Sequence, residues 1–130
     1  MNNRTERTTF ANAGGPLRTR TKSFALRVIR MFSALPKTVP AETLGRQVLR
    51  SGTSVGAQYR EACRARSSAE FISKIESVLQ ELDETCYWLE LISESGLLAP
   101  ELLGPLTHEA NELTAMMVAS VRTAKSSRRS

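Results

Sequence analysis

Between Arg50 and Arg60 the chain reads "RSGTSVGAQYR", two glycines among short side chains with an arginine at either end. Two kinds of phosphate chemistry use such residues. A glycine-rich loop can turn its backbone N–H groups toward a phosphate, and a helix can carry arginines that reach a polyanion. The loop of a nucleotide-binding site needs Gly-x-x-x-x-Gly-Lys-Ser/Thr after a strand. Here three residues separate Gly52 from Gly56, no lysine follows and no strand pattern precedes. The stretch is therefore expected to be helical, with any phosphate chemistry in its side chains.

The remaining reactive groups are sparse. Glu61, Glu70 and His108 are the residues from which an acid–base site would have to be built. They come without a nucleophile motif or a glycine-rich turn, and their expected roles are surface, capping and solvated residues. Cys63 and Cys86 lack metal-ligand spacing, and His108 is the single histidine. No catalytic residue, metal or cofactor is expected, and the chain reads as non-enzymatic.

Positioning these residues requires elements, and the composition favours helices. The 130 residues suit one domain with its own core. Aromatics make up only 5% and strand formers are few, which points to an all-α protein. The net charge of +5 is unevenly spread. Residues 1–75 carry 14 Lys/Arg against 4 Asp/Glu, residues 76–121 carry none against 9, and residues 122–130 carry 4 against none. Such a division suits either a polyanion-binding surface or basic and acidic helices that attract one another. The first 20 residues lack the apolar centre of a signal peptide and no run is long enough to span a bilayer, so a cytoplasmic chain without a membrane partner is expected.

Apolar spacing marks four helices. The first runs from Lys22 through Phe24, Val28, Met31, Phe32 and Leu35 to Pro36. The second covers about Ala41 to Ala65. Ser67 and Glu70 form a capping box at the start of the third, which continues through Ile75, Val78, Leu82 and Leu89 to a glycine stop at Gly96. Pro100 opens the fourth, carried by Leu103, Leu106, Ala110, Leu113, Met117 and Val121 to about Ala124. Short connections between amphipathic helices predict an antiparallel up-down four-helix bundle over residues 21–124. Residues 1–20 are expected to form a disordered basic tail and residues 125–130 a second basic tail. In this arrangement Cys63 and Cys86 lie too far apart for a disulfide.

At about 100° per residue, Arg46, Arg50, Arg60 and Arg64 share a narrow arc of the second helix. Leu44, Val48, Ser51, Val55, Tyr59 and Ala62 face the opposite way. Gly45, Gly52, Gly56 and Cys63 form a flank of small residues that suits close helix approach. On the third helix Tyr87, Trp88 and Leu91 point away from the core face and suggest an oligomer or partner interface, to which Gly52 and Gly56 are also assigned. Arg46, Arg50, Arg60, Arg64 and Arg66 are the candidate nucleic-acid-binding residues. The competing role for these arginines is pairing with Glu76, Asp83 and Glu84 across subunits.

The segment "QVLRSGTSVGAQYREACRARSSAEF" resembles a pattern, Q-L-R-R-A-A-x-S-I-x-A-N-I-A-E-G-x-G-R-x-S-x-x-E-F, of small bacterial four-helix-bundle proteins. That family is named after open reading frames in intervening sequences of 23S ribosomal RNA genes. Gln47, Arg50, Ser54, Ala57, Glu61, Ser67, Glu70 and Phe71 match, and Glu81, Leu82 and Thr85 match a later E-L-x-T segment. Gln58, Tyr59, Ala62 and Arg64 depart from the pattern, the last two replacing glycines near the turn. The resemblance spans about Phe24 to Val121. It implies a cytoplasmic, ring-like homo-oligomer, a pentamer, without known catalysis, related to basic accessory subunits of diversity-generating retroelements that contact a reverse transcriptase and nucleic acid. Two functions are thus expected to compete: RNA or DNA binding through the arginine face, and protein–protein assembly without nucleic-acid contact.

Overall fold

The computed structural model describes residues 15–129 and forms four helices: α1 Gly15–Ala34, α2 Val39–Cys63, α3 Ser68–Glu94 and α4 Pro100–Arg129. They form the expected all-α four-helix bundle. Each helix packs on its neighbours in the chain, and α1 closes the square against α4. The antiparallel order is visible in the seams. Arg50 reaches Glu84 and Glu61 is reached by Lys74, so α3 descends as α2 rises. Gly45 adjoins Leu35 whereas Gly56 adjoins Thr21, which sets α1 antiparallel to α2.

Local chemistry fixes the helix ends. The Thr38 hydroxyl accepts the Ala41 N–H at 3.3 Å and Pro40 occupies the first turn of α2. The Ser67 hydroxyl accepts the Glu70 N–H at 3.1 Å, while the Glu70 carboxylate takes the Arg66 N–H at 3.3 Å. The capping box is thus displaced by one residue on its return bond. At the end of α3, Gly96 adopts a φ of 74°. Gly96 N–H then bonds Ser93 O at 3.1 Å and Leu97 N–H bonds Ile92 O at 3.2 Å, which satisfies two terminal carbonyls.

Three boundaries differ from expectation. α1 begins at Gly15 rather than Lys22, because Leu17 and Thr21 extend the buried row of Phe24, Val28 and Met31. Thr21, wholly buried, reads as polar in sequence and hides that continuity. Residues 15–20 are therefore helical and not part of a tail, and the expected tail over residues 1–14 lies outside the described residues. α4 continues past Ala124 to Arg129, although residues 122–127 are not buried and Val121 is the last buried residue among those whose burial is described. α2 stops at Cys63, short of Ala65. The backbone N–H groups of Arg64 and Ala65 reach back three residues to Glu61 and Ala62, and no non-glycine residue among the described ones has positive φ. Ala62 and Arg64 can therefore stand where the family pattern has glycine.

The core is a layer of aliphatic side chains around Phe24, Val55, Ile75, Leu82, Leu113 and Met117. Close approach of α1 to α2 is set by the glycine flank. A β-carbon on Gly45 would stand 2.7 Å from Leu35 Cδ1, and one on Gly56 would stand 3.2 Å from Thr21 Oγ1. At Gly45 the nearest atoms are the ends of flexible side chains, and at Gly56 the neighbour would have to give by a few tenths of an ångström, so the glycines ease the close approach of α1 to α2 at a cost in helix propensity.

Candidate nucleic-acid interface

The outward row of α2 runs Arg46, Arg50, Thr53, Ala57 and Arg60, and Arg64 follows at the C-cap of the helix. Its buried opposite face holds the helix against the core, so the row is fixed by the same periodicity that fills the bundle. Arg46, Arg50 and Arg64 are exposed and Arg60 is half-buried. Among the described residues, Arg46, Arg60, Arg64 and Arg66 form no ion pair, and Arg50 forms two. Its guanidinium lies 2.6 Å from Glu84 Oε1 and 3.4 Å from Glu81 Oε1. The five candidate arginines are thereby divided. Four keep their charge available to solvent, and Arg50 spends much of its charge inside the chain.

A hollow of about 360 Å³ lies between α1 and α2 beside this row. Thr21, Ala25, Gly56 and Ala57 line it, and Lys22 and Arg60 stand at its rim. Lys22 joins the basic face only through the register of α1 on α2. Sequence reasoning missed it, although the glycine flank is the signal that α1 must approach there. Arg66 occupies the α2–α3 connection, at the end of the face where Arg60 and Arg64 also lie. Thr53 and Ala57 are short, so a phosphate backbone can reach the guanidinium groups without obstruction.

Some of the residues shared with the family pattern, Arg50, Ser54, Glu81 and Thr85, meet in the α2–α3 seam together with Ser51 and Gln58. Glu81 is buried and accepts from Gln58 Nε2 at 3.3 Å and from Arg50 Nη1. The Ser51 and Thr85 hydroxyls, both fully buried, are 2.8 Å apart, and Thr85 also donates to Glu81 O at 2.7 Å. Ser54 donates to Arg50 O at 2.7 Å. These polar groups sit at core-facing positions of both helices, which is the signal that they meet. Their evident role is to set the register of α2 on α3. Gln58 Oε1 and Trp88 Nε1 are buried atoms without a hydrogen-bond partner.

The expected interface residues separate as well. Gly52 and Gly56 are buried against α1 of the same chain, which corrects their assignment to a subunit interface. Trp88 and Leu91 are half-buried, and Trp88 packs against the core. Tyr87 is the exposed member at 53%, with its ring 5.1 Å from that of Trp88. Glu76 and Asp83 are exposed, whereas Glu84 pairs with Arg50 in the same chain.

The acid–base candidates do not converge. Glu61 pairs with Lys74 at 3.1 Å, Glu70 caps α3, and the exposed His108 lies 4.0 Å from Glu112 one turn on. Cys63 and Cys86 are free thiols, and burial, with Asp83 nearby, pushes the Cys86 thiol upward. Among the described residues no cluster of metal-ligating side chains occurs and no helix is long and apolar enough to cross a membrane. A second groove, about 540 Å³ between α3 and α4, is bordered by Glu90 and Glu94 and by His108, with no lysine or arginine in its lining, so it does not suit a polyanion.

A family model described as 23S rRNA-intervening sequence protein matches residues 17–119. Among solved structures, the chain is similar to a protein of unknown function from the S23 ribosomal protein family of Bacteroides thetaiotaomicron. The two are 32% identical, with a TM-score of 0.76 over 80% of this chain and 96% of that one. No curated protein matches the chain.

Proposed function

The chain belongs to the 23S rRNA-intervening sequence protein family, and we propose that it is a non-catalytic bundle that binds nucleic acid on the arginine face of α2. The observation that carries this reading is the contrast among the arginines. Arg50 is held by Glu81 and Glu84, while Arg46, Arg60, Arg64 and Arg66 make no ion pair among the described residues. Unpaired guanidinium groups in a row attract phosphates and release the counterions condensed on them. The row carries no aromatic side chain, and its α2 members are arginines separated by Thr53 and Ala57. This suits backbone contact with a structured RNA better than base stacking.

The test is a titration of a labelled RNA hairpin at several salt concentrations. Binding should weaken steeply with salt and fall together on Arg46→Ala, Arg60→Ala and Arg64→Ala, with little dependence on RNA sequence. Absence of binding at low salt rejects the proposal. The exposed Tyr87 favours a second reading, an assembly scaffold. Purification from cells with a defined protein partner and without RNA would support it.

A further inference from the structure

The seam between α1 and α4 treats its arginines unequally. Arg20 and Arg27 lie two turns apart on one face of α1, about 10 Å along the helix. Glu109 of α4 clasps Arg20 through two bonds, at 3.0 and 2.6 Å. Arg20 also reaches Met116, whereas Arg27, Arg30 and Met31 adjoin Leu102 and Leu106, so the two helices run antiparallel. Moving along α1 from Arg20 to Arg27 therefore means moving back along α4, where the row of Glu109 continues as Leu106 and Leu102. Arg27 and Arg30 face leucines where Arg20 has a carboxylate. Among the described residues neither forms an ion pair.

The same leucines border a hollow of about 270 Å³. Met31 and Leu106, both buried, form its floor, Leu98 and Leu102 its α4 side, and Arg27 and Arg30 its α1 side. Leu102 is nevertheless 62% exposed, and Leu26, one turn from Arg30, is exposed as well. Apolar surface continuous with a core and left open in this way marks a contact site. The hollow is smaller than the roughly 300–1,000 Å³ usual for small-ligand pockets, so it suits a single apolar side chain delivered by a partner.

Charge sets the chemistry of that partner. No carboxylate lines the hollow, and two unpaired guanidinium groups stand one turn apart beside it. They call for acidic groups next to the apolar anchor, as Glu109 serves Arg20. A phosphate backbone would meet the arginines and leave Leu98 and Leu102 uncovered. We propose that this hollow docks an acidic amphipathic helix of another protein, with a leucine-sized side chain against Leu98 and Leu102 and carboxylates one turn apart on Arg27 and Arg30. The contact is independent of the function proposed above, because it uses the α4 side of α1 and none of the α2 arginines.

Fluorescence anisotropy on the full chain tests it with a labelled helical peptide that carries leucines on one face and glutamates beside them. One control peptide has lysine for glutamate, the other serine for leucine. The acidic apolar peptide should bind, and each control about tenfold more weakly or worse. Leu102→Asp should remove binding, and Arg27→Glu combined with Arg30→Glu should reverse the preference toward the lysine peptide, with helicity confirmed by circular dichroism. Arg122→Ala removes a positive charge elsewhere on α4 and should leave the affinity unchanged. Absence of binding, equal affinity for the lysine peptide or indifference to Leu102→Asp overturns the proposal. Two further results would also overturn it by assigning the hollow to another occupant. These are a fall in sedimenting mass on Leu102→Asp, which points to a second copy, and Leu102-dependent binding of phosphatidylglycerol vesicles, which points to a lipid surface.

Discussion

Gly52 lies so close to Val28 that a β-carbon at Gly52 would stand 2.8 Å from Val28 Cγ2. Val28 is fully buried and branched at its own β-carbon, so it cannot swing aside without disturbing the core. The Gly52→Ala variant gains about 0.5–1 kcal/mol of helix propensity. Overpacking costs about 1–3 kcal/mol, so net destabilisation is expected in urea unfolding. Gly104 is the contrasting case. A β-carbon there meets nothing within 4 Å outside its chain neighbours, so Gly104→Ala overpacks no other helix. Pro105, however, crowds a β-carbon on the residue before it, which offsets the gain in helix propensity and leaves stability within about 0.5 kcal/mol of the wild type.

The buried hydroxyls of Ser51 and Thr85 lock α2 to α3. With Thr85 also bonded to Glu81 O, Thr85→Val strips Ser51 of a partner where water does not reach. The expected loss is about 1–2 kcal/mol. Combining Ser51→Ala with Thr85→Val should cost less than the two single changes added, because the double variant leaves neither side chain unsatisfied. Strict additivity in a denaturation cycle would show that the pair does not interact.

The contrast between these two contacts shows what a sequence reveals about this bundle. Val28, Leu82, Leu113 and the rest of the apolar rows are legible because burial imposes a 3.6-residue period on each helix separately. Gly52 signals close approach, yet which helix approaches depends on register, and its assignment to a subunit interface fails for that reason. The Arg46–Arg64 row is legible as one face of one helix. That Arg50 is already paired, that Lys22 joins the face and that Trp88 turns inward all depend on contacts between helices. Thr21 shows a further limit, because a fully buried threonine looks like a polar tail residue when hydropathy alone is read.

Arg20 and Glu109 tie α1 to α4 through two bonds, Nε to Oε2 at 3.0 Å and Nη2 to Oε1 at 2.6 Å. The Arg20 hydrogen bonds hold the Glu109 carboxyl below its usual range, against the opposing effect of its burial. A depressed carboxylate pKa means stability that is present above the unfolded value, about 4.3, and lost as pH falls through the folded value. With Arg20 partly open to solvent, the pair contributes about 1 kcal/mol at neutral pH. Glu109→Gln should therefore lower stability near pH 7 and converge with the wild type in strong acid. Thermal melts across that range check it, and a difference that persists in strong acid would rule out the charge as the cause.

The salt dependence of RNA binding should rank the arginines individually. Removing a guanidinium that meets a phosphate lowers the magnitude of the slope of log K against log salt by about 0.7–0.9. Arg46→Ala, Arg60→Ala and Arg64→Ala should each show such a decrease, since none has an internal ion pair among the described residues. Arg50→Ala removes a charge already balanced by Glu81 and Glu84 and also uncovers the buried Glu81 carboxylate. Its slope should change least while its stability falls most of the four. A slope loss at Arg50 equal to that at Arg60 would mean that the ion pairs open when RNA binds.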